Sequence, residues 1–132
     1  MISLDANILL RYLLKDHPGL SPRALSIIAD NVCFVSRAAL TEMVYTLESY
    51  YRASRTDACR ALDTLLGLDR VTVEDRAVTE RALGWYRSGM DFGDAMIAAS
   101  SHASVRVVTF DRDFARLGRK LRVAPPVEFG IK

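Results

Sequence analysis

Four acidic residues occupy positions from which their carboxylates could converge on one crevice: Asp5, Glu42, Asp94 and Asp111. Asp5 and Asp111 each follow an apolar, β-prone run and so lie at the carboxyl ends of predicted strands. Glu42 falls about two turns into a predicted helix, off its apolar face, and Asp94 falls in the first turn of another helix. Carboxylates about 4 Å apart repel by about 4 kcal/mol per pair at an effective dielectric of 20, so convergence requires a cation or raised pKa values.

All-oxygen donors of this kind suit Mg²⁺ or Mn²⁺, and Mg²⁺ usually binds one or two carboxylates together with waters and substrate phosphate. One or two such ions activate a water and neutralise the charge that develops on phosphate during displacement. The predicted chemistry is therefore hydrolysis of phosphodiester bonds. A structural interpretation stays open for each acid: Asp5 and Asp111 as turn or cap residues, Asp91 with Asp94 as a capping box, and Glu42 as a solvated helix residue.

Other chemistries lack their motifs. The sequence has no Gly-rich phosphate loop with lysine, no G-x-S-x-G elbow and no zincin helix. Its two histidines are isolated along the chain, which disfavours a catalytic role for either. The aromatic pairs Tyr50-Tyr51 and Trp85-Tyr86 could stack bases, but aromatic residues at helical spacing more often pack in a core or an interface.

Length and composition predict one ordinary domain. The 132 residues are half apolar and a quarter charged, which predicts a single domain over residues 1–132. The apolar runs are too short to span a bilayer and the first residues lack a basic signal region, so we expect a cytoplasmic protein without membrane contact. The net charge of +2 does not itself indicate nucleic acid, and the excess of 15 arginines over 3 lysines suits phosphate or reflects genome composition. Cys33 and Cys59 match no metal spacing and are expected to be reduced core residues.

Strands and helices alternate in the predicted order, which is typical of a parallel sheet covered by helices on both faces. The predicted strands are Ile2–Leu4, Val32–Val35, Arg70–Val73, Val105–Phe110 and a possible edge strand, Leu121–Ala124. The predicted helices are one from Ile8 to Leu14, one to Asp30 capped by Ser21, Arg37–Tyr51 capped by Ser36, Asp57–Leu66 capped by Thr56, Asp75–Ser88, Gly93–Ala103 buried nearly all round, and Asp111–Leu117. In such sheets, ligands bind beyond the carboxyl ends of the strands.

Four segments in register resemble the PIN domain family and, in size and spacing, a VapC-type toxin of a toxin–antitoxin pair. They are Ile2 to Leu10, Val35 to Glu42, Asp91 to Ala99 and Val108 to Phe114. Each segment alone is a weak signal, but together they cover nearly the whole chain in the family's order. The resemblance implies a three-layer α/β/α sandwich with a central, mostly parallel sheet of four to five strands.

The resemblance also implies roles for the acids. Asp5, Glu42, Asp94 and Asp111 would be catalytic residues of a Mg²⁺- or Mn²⁺-dependent endoribonuclease, with Asp5, Asp94 and Asp111 as metal ligands. Four further residues match polar or acidic positions that support these acids: Asn7, Asp91, Thr109 and Asp113. Asp113 lies two residues after Asp111 and could take its role, but Asp111 comes first after the strand and is preferred.

Partners are likewise implied by the resemblance. They are an RNA substrate, a second copy in a homodimer and a small antitoxin whose tail covers the acidic groove. Arg11, Arg37 and Arg112 are candidate contacts for RNA phosphates or an antitoxin carboxylate. One alternative is a PIN-fold scaffold whose site is unused, which intact acids disfavour. Another is a response-regulator receiver, which would need a second acid beside Asp5 and a late lysine at a strand end.

Overall fold

Short parallel strands alternate with helices over residues 1–130, the part of the chain that this computed structural model describes. Two compact units divide the chain, Met1–Arg76 and the residues from Ala77 onward. The first holds β1 (Ile2–Ser3), α1 (Ala6–Leu14), α2 (Leu20–Asp30), β2 (Cys33–Val35), α3 (Arg37–Ser49), α4 (Arg55–Leu66) and β3 (Val71–Val73). The second holds α5, which begins at the boundary (Arg76–Arg87), then α6 (Phe92–Ser100), β4 (Val107–Thr109), α7 (Arg112–Lys120) and β5 (Val127–Phe129).

The first unit is built on a three-stranded parallel sheet in the order β1-β2-β3. Ser3 lies opposite Phe34, and Phe34 lies opposite Thr72. β2 is the central strand, and its Cys33 and Val35 are fully buried. Cys33 and Cys59 are both buried and form no disulfide, which confirms their expected role as packing residues. The carboxyl ends of these three strands form one edge of the sheet, from which α1 and α3 begin.

The second unit has its own parallel pair, β4 and β5, with Thr109 opposite Phe129. Helix α7 packs on both strands, and Gly118 on α7 makes the close approach to β5 possible. A Cβ atom at Gly118 would lie 2.9 Å from the Cβ of Val127, closer than packed carbon atoms come. The largest fully buried side chains of this unit are Tyr86 and Phe92, whose rings meet edge-on.

The predicted edge strand at 121–124 is wrong, because these residues follow the end of α7 at Lys120 and the first three of them bond back to that helix. The N–H groups of Leu121, Arg122 and Val123 donate to carbonyls of Leu117, Arg119 and Gly118. Arg122 also adopts a left-handed backbone (φ 55°), which no extended strand contains. The fifth strand comes later, after Pro125-Pro126, where the chain's amides are again available for pairing.

Two predicted helix caps are also wrong. Helix α4 begins two residues earlier than predicted, and Ser54, not Thr56, accepts the N–H of Asp57 at 3.1 Å. Helix α2 begins at Leu20, so Ser21 lies inside it. The His17 imidazole supplies the cap instead, since its Nδ1 accepts the N–H of Leu20 at 2.9 Å. The predicted Ser36 cap of α3 is confirmed by its bond to the N–H of Ala39.

Seven helices and five parallel strands within residues 1–130 confirm the predicted α/β class and are consistent with a three-layer α/β/α fold. The strands form a three-stranded and a two-stranded sheet. Helix α6 was expected to be buried nearly all round, but its Ile97 is 53% exposed. No helix in this part of the chain has the length and apolar character needed to cross a membrane. The single domain over 1–132 stays a prediction, and its last two residues lie outside the described residues.

Candidate active site

Asp5 lies at the carboxyl edge of the three-stranded sheet and caps the helix that begins there. Its Oδ1 accepts the N–H of Ala6 at 2.7 Å, and its Oδ2 accepts the side-chain amide of Asn7 at 3.5 Å. The backbone of Asp5 is extended, as expected for an N-cap residue. Asp5 is nevertheless exposed. Asp5 is therefore the cap residue that the structural interpretation predicted, and its carboxylate is still accessible to a ligand.

Glu74 occupies the equivalent place after β3, and sequence reasoning missed it. Its N–H donates to the carbonyl of Val35, which continues the register of the sheet. Its carboxylate accepts the backbone N–H of Arg37 at 2.9 Å and pairs with the guanidinium at 3.4 Å. The backbone hydrogen bond from Arg37, more than the charge of the guanidinium, holds the pKa of Glu74 below its usual value. The rule that selected Asp5, an acid directly after a strand, also selects Glu74.

Glu42 lies on α3, two helical turns from the same sheet edge. The buried face of α3 carries Leu40, Met43 and Val44, and Glu42 lies off that face and is exposed. This placement agrees with the predicted pattern. A role in catalysis for Glu42 stays a prediction.

The second unit gathers the other acids at the start of two helices. Asp91 caps α6 by accepting the N–H of Asp94 at 3.0 Å. Asp111 caps α7, and its Oδ1 accepts the N–H groups of Asp113 and Phe114 at 2.9 and 3.1 Å. Thr109 in turn accepts the N–H of Asp111 through its Oγ1 at 2.9 Å. Each capping bond fixes the orientation of a carboxylate at the carboxyl end of β4 or the start of α6.

The charges of two of these neighbouring acids affect the pKa of Asp94. Burial first, and then repulsion from Asp91 and Asp111, raise the pKa of Asp94 from 3.8 to about 6. Such a shift means that the folded protein disfavours the charged form of Asp94 relative to the unfolded chain. Perturbed carboxylates of this kind are typical of functional sites.

The donor set of the second unit fits a hard divalent cation in its chemistry. Asp94 and Asp111 supply oxygen donors, and two carboxylates completed by waters are enough for Mg²⁺. Across residues 1–130, no three His, Cys, Asp or Glu side chains lie close enough together to hold a metal ion as a group. Asp5 belongs to the first unit and Asp94 and Asp111 to the second. The predicted set of three ligands therefore stays a prediction.

Asp111 and Asp113 differ clearly in their surroundings. The carboxylate of Asp113 is 80% exposed and pairs with Arg116 at 3.3 Å. Asp111, by contrast, contributes to the raised pKa of Asp94. This difference favours Asp111 for the role that the sequence left ambiguous.

The three candidate arginines have partners within the chain. Arg11 pairs with Asp16 at 3.4 Å, and Arg37 pairs with Glu74. The guanidinium of Arg112 lies over the ring of Phe129, 4.4 Å from its centroid. Arg112 is also exposed and follows Asp111 directly. A contact of any of the three with RNA or an antitoxin stays a prediction.

Comparison with known proteins adds one finding to this geometry. No curated protein matches the chain. The model of the PIN domain family matches residues 2–120, which include all the acids described above. With a match over most of its 132 residues, the chain belongs to the PIN domain family.

Proposed function

We propose that this PIN domain is a Mg²⁺- or Mn²⁺-dependent endoribonuclease and the toxin of a toxin–antitoxin pair. PIN domains are generally nucleases, which usually use divalent metals. The observation that carries the proposal is the grouping of Asp91, Asp94 and Asp111 at the starts of α6 and α7, close enough for the charges of Asp91 and Asp111 to raise the pKa of Asp94. Carboxylates placed where they repel one another cost stability unless a cation compensates them.

In the proposed mechanism, Asp5, Asp94 and Asp111 would hold the metal directly or through water. A bound divalent cation makes water a better nucleophile and neutralises the charge that develops on phosphate. Glu42 would orient the attacking water or add a ligand to the metal. Thr109 supports this arrangement, because it accepts the N–H of Asp111.

Water is the nucleophile in this proposal, rather than the ribose 2′-hydroxyl. The products are therefore a 5′-phosphate and a 3′-hydroxyl, formed without a covalent enzyme intermediate. Accumulation of 2′,3′-cyclic phosphate would contradict the mechanism.

The proposed partners are RNA, a second copy of the chain and a small antitoxin, and the proposed location is the cytoplasm. Apolar side chains on α2 support an interface, because Leu20 and Leu25 are 42% and 53% exposed. Leu9 of α1, by contrast, is fully buried and belongs to the core. A second copy and an antitoxin would each cover apolar surface of this kind.

The test is cleavage of total cellular RNA by the purified protein with Mn²⁺ or Mg²⁺, with EDTA as the metal-free control. Asp94→Asn removes one charge of the cluster and is expected to abolish cleavage. Asp57→Asn is a matched control, since Asp57 also lies in the first turn of a helix with its N–H bonded to the cap residue. Discrete fragments with 5′-phosphate ends from the wild type and Asp57→Asn alone would support the proposal.

Metal binding separates the nuclease from the scaffold. We expect the wild type to bind Mn²⁺, followed by titration calorimetry, and Asp94→Asn to bind it more weakly. Intact RNA together with no binding of Mn²⁺ by the wild type would favour the scaffold and refute the proposed nuclease.

A further inference from the structure

An exposed aromatic pair lies directly beside Asp111 in the second unit. Phe110 is 86% exposed, and its ring meets that of Phe129 edge-on with centroids 6.2 Å apart. The Arg112 guanidinium covers the Phe129 ring. One highly exposed ring next to a second ring that a guanidinium covers indicates a binding surface rather than scattered surface residues.

A basic cleft begins at the same aromatic pair. It measures about 810 Å³, and Arg106, Arg119, Arg122 and Phe129 are among its lining residues. Its one acidic lining residue, Glu128, pairs with Arg106 at 3.7 Å. Within residues 1–130, no carboxylate lies at ion-pair distance from Arg119 or Arg122. The cleft therefore carries net positive charge that an anionic ligand would neutralise.

The strand β5 joins these two features. Residues Pro126 to Gly130 all line the cleft and span about 13 Å at the usual rise of a strand. The N–H of Gly130 donates to the carbonyl of Thr109, so the carboxyl ends of β4 and β5 lie side by side. Phe110 and Asp111 follow Thr109 directly. The cleft thus leads along β5 to the residues that precede and include a candidate catalytic acid.

We infer that Phe110, Arg112 and this cleft form a binding track for single-stranded RNA. A base stacks on the exposed ring of Phe110, and phosphates of the same strand bind Arg112, Arg119 and Arg122. The inference rests on the proposed ribonuclease function, since the track delivers a strand to Asp111. Paired RNA fits less well, because its bases are stacked on one another and offer no face to the ring.

Binding measured in EDTA tests the track without cleavage. The probe is a fluorescent single-stranded oligoribonucleotide, compared with the same strand in a duplex, and the readout is anisotropy over a range of salt concentrations. Phe110→Ala should weaken binding of the single strand by about 5- to 150-fold and leave the salt dependence unchanged. Arg119→Gln combined with Arg122→Gln should reduce the slope of log K against log salt by about 1.4.

Two control variants keep the test sharp. Val105 is as exposed as Phe110, at 86%, and precedes β4 where Phe110 follows it. Val105→Ala should therefore leave RNA affinity unchanged. Phe110→Trp should bind at least as tightly as the wild type, because the indole offers a larger ring face and the site is open to solvent.

Equal affinity of Phe110→Ala and wild type for the single strand would overturn the inference, as would an unchanged salt slope in the arginine variant. Displacement of bound RNA by an acidic peptide, with no dependence on Phe110, would assign the cleft to a protein partner instead. Metal-dependent cleavage together with Phe110-independent binding would refute the track and leave the nuclease standing. Phe110-dependent binding without any cleavage would refute the nuclease and leave the track standing.

Discussion

Replacing Asp94 with asparagine should stabilise the metal-free protein at neutral pH while it removes a candidate catalytic group. Burial and the charges of Asp91 and Asp111 raise the pKa of Asp94 from 3.8 to about 6. Asp94 binds its proton more tightly in the folded protein than in the unfolded chain. The protein therefore loses stability as pH rises from about 3.8 to about 6, because over this range the carboxyl ionises more readily in the unfolded chain. Above this window, the folded protein retains the full cost of the charge.

The size of the effect follows from the shift. The rise in the pKa of Asp94 from 3.8 to about 6 corresponds to a loss of folding stability of at most about 3 kcal/mol. Asp94 is half-buried, so solvent screening reduces this to about 1–2 kcal/mol. Asparagine also loses the favourable interaction of a charge with the N-terminus of α6, about 0.5 kcal/mol. The net gain for Asp94→Asn is about 1 kcal/mol at pH 8, or about 3–5 °C in Tm.

The assay is urea unfolding in EDTA at pH 8 and at pH 4.5, with Asp57→Asn as the control. Asp57 lies in the first turn of α4 and pairs with Arg60 at 3.4 Å, so its replacement removes a favourable charge. We expect Asp57→Asn to be destabilised by up to about 1 kcal/mol at pH 8. The gain from Asp94→Asn should shrink towards zero at pH 4.5. A gain of equal size at both pH values, or a loss at pH 8, would refute the electrostatic reasoning.

Three further predictions test the packing, capping and ion pairing of the chain. Gly118→Ala should destabilise the fold by about 1–3 kcal/mol, measured by thermal unfolding, because its Cβ would lie 2.9 Å from Val127. Ser54→Ala should cost about 1 kcal/mol and Thr56→Ala less than about 0.5 in urea unfolding, since Ser54 caps α4. Glu74→Gln should cost less than about 1 kcal/mol at pH 7, and this difference should close as pH falls below about 4, because the pKa of Glu74 is lowered in the fold.

Local patterns predicted most of what surrounds the acids. An apolar run followed by an acid located Asp5 and Asp111 correctly at the ends of strands, and the spacing of Asp91 and Asp94 predicted the cap of α6. The prediction of the α4 cap was wrong because Ser54 and Thr56 are both suitable cap residues. The choice between them depends on where the first turn begins, and the structure begins it at Arg55, directly after Ser54.

Pairing between strands that are distant in sequence formed the elements that local sequence patterns did not predict. The segment from Leu121 to Ala124 has the composition of a strand, but its first three amides bond to carbonyls of α7. The strand β5 begins only at Val127, opposite Val107. The aromatic pair of Phe110 and Phe129 arises from the same strand pairing, which places Phe129 opposite Thr109, the residue before Phe110. The aromatic residues that the sequence analysis considered for base stacking differ from one another in exposure. Tyr86 is fully buried, whereas Tyr50 is 76% exposed.

The sequence posed a choice between capping and catalysis for each aspartate, and the structure shows that the two roles are compatible. Asp5 and Asp111 each use Oδ1 to accept backbone N–H groups of the helix that follows. These bonds hold the side chain in one orientation, so the second oxygen keeps a fixed direction, which for Asp5 the side-chain amide of Asn7 also supports. A carboxylate held in this way loses little further side-chain entropy when a cation or substrate binds. Capping at the carboxyl end of a strand is therefore a means of preorganising the acids, and it explains why residues with an ordinary structural role remain the best candidates for the chemistry.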